Sequence, residues 1–276
     1  MSIKGSQKYE ISKELLEKLY IVEGLSGRQI WEKLKIGDER TIKNYIKKYG
    51  LSRNRSQAAM ITHNGLTEQP IITNSQKEII IGELLGDGSL KHDCKNSIPF
   101  YRHSSKYREY CEWLGTVLPS LRWAEVTETK HSQTKKDGSP QISYNLRSQC
   151  HPDLLPLYDM FYDQEGRKHI PTDLKLTSTV LLHWFLGDGT AGMFSAGKSR
   201  LGIPKQCWQM TIYACAYTRE ELESTVMPQL AEMGIVATVT MKPGRHRIRI
   251  SSGSHERFYR LIGQCPCSIY GYKWRK

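Results

Sequence analysis

The chain has 276 residues with 40 Lys plus Arg against 28 Asp plus Glu, a formal charge of +12, and 38% hydrophobic residues. That length suits one or two domains with a real core, and the positive excess attracts a polyanion through counterion release, so nucleic acid leads the partner classes that charge permits, ahead of ribosomal or membrane surfaces. The opening MSIKGSQKYE is not an apolar signal, no apolar run approaches a membrane span, and seven cysteines without paired C-x-x-C sets read as reduced thiols; a soluble intracellular protein of a bacterial or phage host is expected, an organelle being a further option, with no membrane partner.

The first 60 residues predict three short helices. Residues 11–23 carry Ile11, Leu15, Leu19 and Val22 as one apolar stripe. Ser26 caps a second helix bearing Ile30, Trp31 and Leu34, and Gly37 marks the turn into a third over 39–49, where Ile42, Tyr45, Ile46 and Tyr49 recur at helical spacing. Arg40, Lys43, Asn44 and Lys47 lie on its other faces. Two helices around a Gly-containing turn resemble a helix-turn-helix DNA-binding unit, with 39–49 as the recognition helix. Residues 1–75 hold 13 basic and 8 acidic residues, which supports DNA contact modestly; a plain protein-interaction module has the same outline. The expected organisation is a 1–60 helical domain and a 61–75 polar linker.

Next comes IIGELLGDGSL at 80–90, an apolar helix, interrupted only by Glu83, that runs into Gly-Asp-Gly. Gly82 and Gly86, four residues apart, share one helical face and permit another backbone to approach closely. Asp87 falls at the carbonyl end of this helix, where the potential is negative and a carboxylate is unfavourable, so something positive should sit beside it. Gly88 reads as a left-handed helix cap. One Asp-Gly after a helix is ordinarily a turn, but the pattern recurs about a hundred residues on as LLHWFLGDGT at 181–190, with Asp188 and Gly189 in the matching places and His183 and Gly187 aligned with Gly82 and Gly86. Each acid is followed by a lysine at similar distance: Lys168, 81 residues after Asp87, and Lys273, 85 residues after Asp188. Alone, either lysine reads as a solvated surface charge.

Between motif and lysine each half alternates as strands do. QISYNLRS at 141–148 separates Ile142, Tyr144 and Leu146 from Gln141, Ser143, Asn145 and Arg147; RHRIRIS at 245–251 sets Arg245, Arg247 and Arg249 opposite His246, Ile248 and Ile250; and TVTMK at 238–242 exposes Thr238, Thr240 and Lys242. Such faces suit base-edge reading in the major groove, although alternation alone describes any sheet with one wet side. QTKKDGSP at 133–140, with Lys135 and Lys136, and SAGKSRLGIPK at 195–205, with Lys198 and Arg200, read as ribbon tips that contact outlying phosphates. Cys265-Pro-Cys267 has no second pair and reads as structural rather than zinc-binding.

From Gln76 to the C-terminus these features resemble the LAGLIDADG homing endonucleases in their single-chain form of two fused halves. The resemblance rests on the two Gly-Asp-Gly helices, on HPDLLPLYDMFYDQEGRKHIP at 151–171 with Leu176-Thr177 before the second helix, and on the closing YGYKW at 270–274. It implies an α+β fold of two pseudo-symmetric αββαββα halves, 76–171 and 172–276, with saddle-shaped antiparallel sheets, preceded by the small all-α unit. It also implies motif helices that pack side by side, Asp87 and Asp188 as ligands of two or more Mg²⁺ ions with the carbonyls of Gly86 and Gly187 as weaker ligands, and Lys168 and Lys273 as active-site lysines that orient water and stabilise developing charge. The implied function is a monomeric, Mg²⁺-dependent endonuclease that makes a staggered double-strand cut in a long asymmetric DNA site. An intron RNA maturase, with host intron RNA as partner, and a non-cleaving transcription regulator are the alternatives on this scaffold, and an intron-encoded or free-standing gene is expected. The family often places Gln or another polar residue in the strand after each motif; here IYACAY puts Cys215 near that place, and FYRHSS at 100–105 aligns poorly.

Overall fold

The structure, a computed structural model, describes residues 10–51, 70–93, 97–134, 137–198, 202, 204–242 and 245–274. The chain divides into two units, residues 1–68 with 94–98 and residues 69–93 with 99–276.

In the N-terminal unit, α1 (Lys13–Glu17) runs on into a π turn (Lys18–Val22), followed by α2 (Gly27–Leu34) and α3 (Glu39–Lys48). Ser26 and Gln29 form a reciprocal capping box on α2, and Asp38 caps α3 through the Thr41 amide. Ile30, Ile42 and Ile46 meet Leu16 and Leu19 in a small core. The first stripe is rotated from the one the sequence suggests: Leu16 is buried, whereas Leu15 is 38% and Val22 77% exposed. The helix begins only after Ile11 and its second turn is π-helical, so an ideal 100° count from Ile11 has the wrong phase. Arg40, Lys43, Asn44 and Lys47 are exposed, with Lys43 paired to Glu39 at 2.6 Å.

The larger unit repeats one plan twice. The first copy is α4 (Asn74–Leu85), β1 (Ser89–Lys91), β2 (Phe100–Ser105), α5 (Arg108–Val117), β3 (Thr127–Thr134), β4 (Pro140–Cys150) and α6 (Leu154–Phe161). The second is α7 (Ser178–Asp188), β5 (Gly189–Lys198), β6 (Pro204–Tyr213), α8 (Arg219–Glu221) continuing through a π turn (Leu222–Val226) into α9 (Met227–Glu232), β7 (Ala237–Lys242), β8 (Arg245–Ile250) and α10 (His255–Ile262). A 3₁₀ segment, Ser268–Trp274, follows. The two antiparallel sheets have orders β1-β2-β4-β3 and β5-β6-β8-β7. This is the α+β architecture of two four-stranded sheets that the sequence predicts. No described helix is long and apolar enough to cross a membrane, and Cys111, Cys207, Cys215, Cys265 and Cys267 are free thiols.

The apolar run of each motif helix is buried, Ile80, Leu84 and Leu85 in α4 and Val180, Leu181, Trp184, Phe185 and Leu186 in α7. Thr73 and Gln76 cap α4 reciprocally, and Thr177 caps α7. A single core runs from Ile80 and Leu84 through Val180, Leu181, Trp184 and Phe185 to the inner faces of both sheets. A Cβ on Gly82 would lie 2.5 Å from the Val180 carbonyl oxygen and 2.6 Å from the His183 Cβ, so the backbones of α4 and α7 touch where the small-residue face begins.

Candidate active site

The two motif helices end beside each other. A Cβ on Gly187 would stand 3.4 Å from the Asp87 amide nitrogen and 3.6 Å from Asp87 Oδ2, and one on Gly86 would stand 3.7 Å from the Asp188 amide. Asp87 and Asp188, about a hundred residues apart in sequence, thus line one cleft of about 370 Å³ together with Ser104, Tyr213, Tyr272 and Lys273. Asp188 closes α7, whereas Asp87 stands two residues beyond the end of α4. Burial, reinforced by the charge of Asp87, pushes the Asp188 carboxyl up to about 7, against the pull of Lys168 and Lys273.

The two lysines sit where the carbonyl ends of the helices are negative. Lys168 Nζ donates to the carbonyls of Leu84 at 2.7 Å, Gly88 at 2.8 Å and Gly86 at 3.4 Å. Lys273 Nζ donates to Leu186 at 2.6 Å, Phe185 at 3.1 Å and Gly187 at 3.4 Å. Each ammonium therefore caps one motif helix and offsets the partial charge that would otherwise oppose the aspartate there. Burial lowers both lysines to about 8 while the two aspartates pull them back up. The Gly86 and Gly187 carbonyls make the longest contact of each set, which leaves lone-pair capacity directed elsewhere.

The glycines after the acids act differently from the expected left-handed caps. Gly189 is extended at φ −77°, ψ 147°, and Gly88 is not among the positive-φ glycines. What they supply is space. A Cβ on Gly189 would fall 2.3 Å from the Phe185 carbonyl oxygen, and one on Gly88 would fall 2.8 Å from both the Glu83 carbonyl oxygen and the Tyr101 hydroxyl. The chain folds back tightly enough to begin a strand under its own helix end.

Glu83, the one acid inside the apolar motif, is 1% exposed and anchors a network that joins the two halves. Its oxygens lie 2.9 Å from His183 Nδ1 on α7 and 3.1 Å from His103 Nδ1 on β2, and accept hydrogen bonds from Tyr110 and Tyr101. Burial opposes its charge, but the bonds from His103 and His183 prevail and hold the carboxyl well below the usual range. Trp113 stacks on the His183 ring. An acid in the middle of an apolar helix must find partners; that was the available signal, but the partners lie 20 and 100 residues away. Replacing Glu83 with Leu strands these donors in the core, and a loss of about 3–5 kcal/mol of stability is expected by urea unfolding. A variant as stable as wild type would remove the network from any structural role.

Sequence reasoning also missed the strand residues facing the acids. Registers Ser104↔Asn145 in one sheet and Tyr213↔Arg247 in the other put Ser104 and Tyr213 in corresponding places, and both hydroxyl-bearing residues line the cleft. Cys215 lies beyond β6 and is exposed, so it does not hold the place that linear alignment suggests.

The open sheet faces follow from the pairing. Arg102↔Arg147, Ser104↔Asn145 and Thr129↔Ser143 are matched in the first sheet, and Thr211↔Arg249, Thr238↔Arg249 and Thr240↔Arg247 in the second. Leu146, Ile248 and Ile250 lie on the buried sides. Arg147, Arg245 and Arg249 are exposed, while Asn145 and Arg247 are half-buried; the Arg247 guanidinium stands 4.7 Å over the Tyr213 ring. Lys135, Lys136 and Arg200, with the side chains of Lys198 and Lys242, lie outside the described residues.

The model of the LAGLIDADG DNA endonuclease family matches residues 77–258. The fold is similar to that of the homing endonuclease I-WcaI, solved bound to its DNA recognition sequence, with a TM-score of 0.65 at 19% identity over 83% of this chain and 96% of that one. Curated relatives include two proteins named RecA, from Mycobacterium leprae, 26% identical over 49% of this chain, and from Mycobacterium shimoidei, 26% identical over 47%. The matches span only 18% and 29% of those relatives' own length.

Proposed function

The chain belongs to the LAGLIDADG DNA endonuclease family, and from that premise we propose that it is a monomeric, site-specific endonuclease that makes a divalent-metal-dependent, staggered double-strand cut in a long asymmetric DNA site. The observation that carries this reading is the meeting of Asp87 and Asp188 at the ends of two touching helices, one end capped by the half-buried Lys168 and the other by the buried Lys273.

The residues present fit a hard divalent cation. Two carboxylates share a cleft in which burial first, and then the charge of Asp87, pushes Asp188 up to about 7, and oxygen donors of this kind are what Mg²⁺ takes. Asp87 and Asp188 would hold the ions, with the Gly86 and Gly187 carbonyls within reach of the same cleft. When bound, such ions neutralise charge on the attacked phosphate and make water a stronger nucleophile. The remaining tasks fall to the chain itself. Lys168 and Lys273 fix both helix ends and present positive charge toward the scissile phosphate, in a setting buried enough to strengthen it. The Ser104 and Tyr213 hydroxyls face the same space and position water or phosphate oxygen by hydrogen bonding. The two open sheet faces, through Asn145, Arg147, Arg245, Arg247 and Arg249, run along the duplex, and their unequal side chains specify an asymmetric site. Arg40, Lys43, Asn44 and Lys47 on α3 extend the contact as a helix-turn-helix recognition surface.

The shifted acid sets a pH dependence. Asp188 titrates near 7 in the folded chain and near 3.8 unfolded, so between those values the folded state keeps a proton the unfolded state has lost, and stability without divalent ions falls as pH rises through that window. A cation must displace that proton. Divalent affinity is therefore expected to rise by roughly tenfold per pH unit up to about 7 and to level off above it. Calorimetric Ca²⁺ titrations at pH 6, 7 and 8 check this; a flat affinity would separate Asp188 from the metal.

The function itself is tested by offering the protein a randomised duplex library in Mg²⁺ and sequencing the ends. Discrete staggered cuts at one long asymmetric site support the proposal. Enrichment of bound DNA without cuts transfers the weight to a regulator or an RNA maturase. In the same assay a chain lacking residues 1–60 that selects a site of unchanged length would sink the DNA-contact role of the N-terminal unit.

A further inference from the structure

The carbonyl ends of the two motif helices are satisfied in different ways. α7 stays helical through Asp188, and among the described residues Lys273 alone gives side-chain donors to its last carbonyls, those of Phe185, Leu186 and Gly187. α4 stops at Leu85, so Gly86 and Asp87 stand outside the helix and leave more carbonyls in need of a partner. The Glu83 carbonyl takes the Gly86 and Gly88 amides. Lys168 has three protons, directed at Leu84, Gly88 and, at the longest range, Gly86. Leu85 is left over. Its carbonyl is met by the hydroxyl of Tyr217, which stands 3.1 Å from both the Leu84 and the Leu85 oxygens and shares its one proton between them. Tyr217 belongs to the second half of the chain, 132 residues beyond Leu85.

Tyr217 is itself held firmly. It is 3% exposed, and its ring meets that of Trp184 on α7 edge to face at 6.5 Å. Its amide donates to the Ala214 carbonyl across the turn that follows β6. His246 on β8 clasps both ends of this turn: its carbonyl accepts from the Ala214 amide at 3.0 Å, and its Nδ1 lies 2.9 Å from the Tyr217 carbonyl oxygen. The phenol is therefore a fixed point against which the end of α4 is set. A buried carbonyl deprived of its donor is costly, so without the hydroxyl Leu85 would compete for the Lys168 ammonium and draw it from Gly86 and Gly88, the residues on either side of Asp87. Resting on the proposed DNA-cleaving function, we infer that Tyr217 is a positioning residue for the Asp87 end of the cleft, a hydroxyl lent by the second half that keeps Lys168 on the carbonyls flanking Asp87. The Asp188 end takes no such donor from the first half, so the two strand cuts depend on Tyr217 unequally.

The test uses the full chain and a supercoiled plasmid carrying the site selected from the randomised library, with the cut in each strand followed separately under single turnover in Mg²⁺. Tyr217→Phe keeps the ring and removes the hydroxyl. It is expected to slow one strand by about tenfold, what one hydrogen bond carries, and the other by no more than about twofold, so that nicked circles accumulate. The slowed strand should be the one that Lys168→Met affects more than Lys273→Met does. Affinity for the same duplex in Ca²⁺ should match wild type, which separates positioning from binding. His246→Leu, which frees the Tyr217 carbonyl, should give the same bias at about threefold, and it carries the test if the Phe variant does not fold. Three results overturn the inference: both strands slowed alike, as a general loosening of the core would produce; neither strand slowed; or a bias toward the strand that Lys273→Met affects more. A wild-type chain that cuts neither strand overturns the proposed function instead, and is read before any variant is compared.

Discussion

With Asp87 and Asp188 both replaced by Asn, strand cleavage is expected to fall by about 10⁴-fold or more while affinity for the preferred duplex changes only a few-fold. Asn keeps the shape of each side chain and removes the charge that would hold a cation. The same exchange should make the protein more stable. Burial and the charge of Asp87 raise Asp188 to about 7 from 3.8, so above neutral pH an ionised Asp188 costs the metal-free fold on the order of a few kcal/mol, which the neutral amide avoids. Single-turnover cleavage in Mg²⁺ and thermal unfolding at pH 8 without divalent ions read the two effects separately. Cleavage at the wild-type rate would end the assignment of the acids. Unchanged or lower stability would contradict the account of the cleft as an electrostatic strain that catalysis requires.

Gly82→Val is expected to cost about 3 kcal/mol or more, enough to lose much of the folded protein near physiological temperature. Its first side-chain carbon would lie 2.5 Å from the Val180 carbonyl oxygen and 2.6 Å from the His183 Cβ, and neither a backbone carbonyl nor a Cβ can rotate aside. The motif helices would have to part, and with them the shared core and the Glu83 to His183 contact. Gly187→Ala is the contrast. It sits inside α7, its Cβ would meet nothing closer than 3.4 Å, and Ala favours a helix over Gly, so stability within about 1 kcal/mol of wild type is expected. Chemical denaturation of both variants decides the point; equal losses would show that the 2.5 Å approach at Gly82 is not what sets the cost.

The two predictions depend on different parts of the chain's information. The paired motifs, the strands with one apolar side and the short N-terminal helices were legible because each is local: a 3.6- or two-residue period, a cap or a turn residue is written within ten or so positions. The spacing of Gly82 and Gly86 also pointed correctly to close helix approach. The errors were local as well. The buried phase of the first helix slipped at a π turn, and the glycines after the acids looked like left-handed caps when their lack of a Cβ was needed for close packing.

What tertiary structure alone decided was which distant groups share a place. A positive charge beside each aspartate could be demanded from the helix-end potential, yet only the fold shows Lys168 and Lys273 donating to carbonyls more than 80 residues earlier. Glu83 looked like an interruption of an apolar helix until His183, His103 and two tyrosines surrounded it. Ser104 and Tyr213 became counterparts only through strand register, and Asp93 met Arg147 only when β4 carried it across. By itself the sequence determined periodicity, charge and the repeat, because these depend on neighbours along the chain; the site's geometry and its shifted acidities depend on burial and on contacts across the two halves, and those exist only once the core has closed.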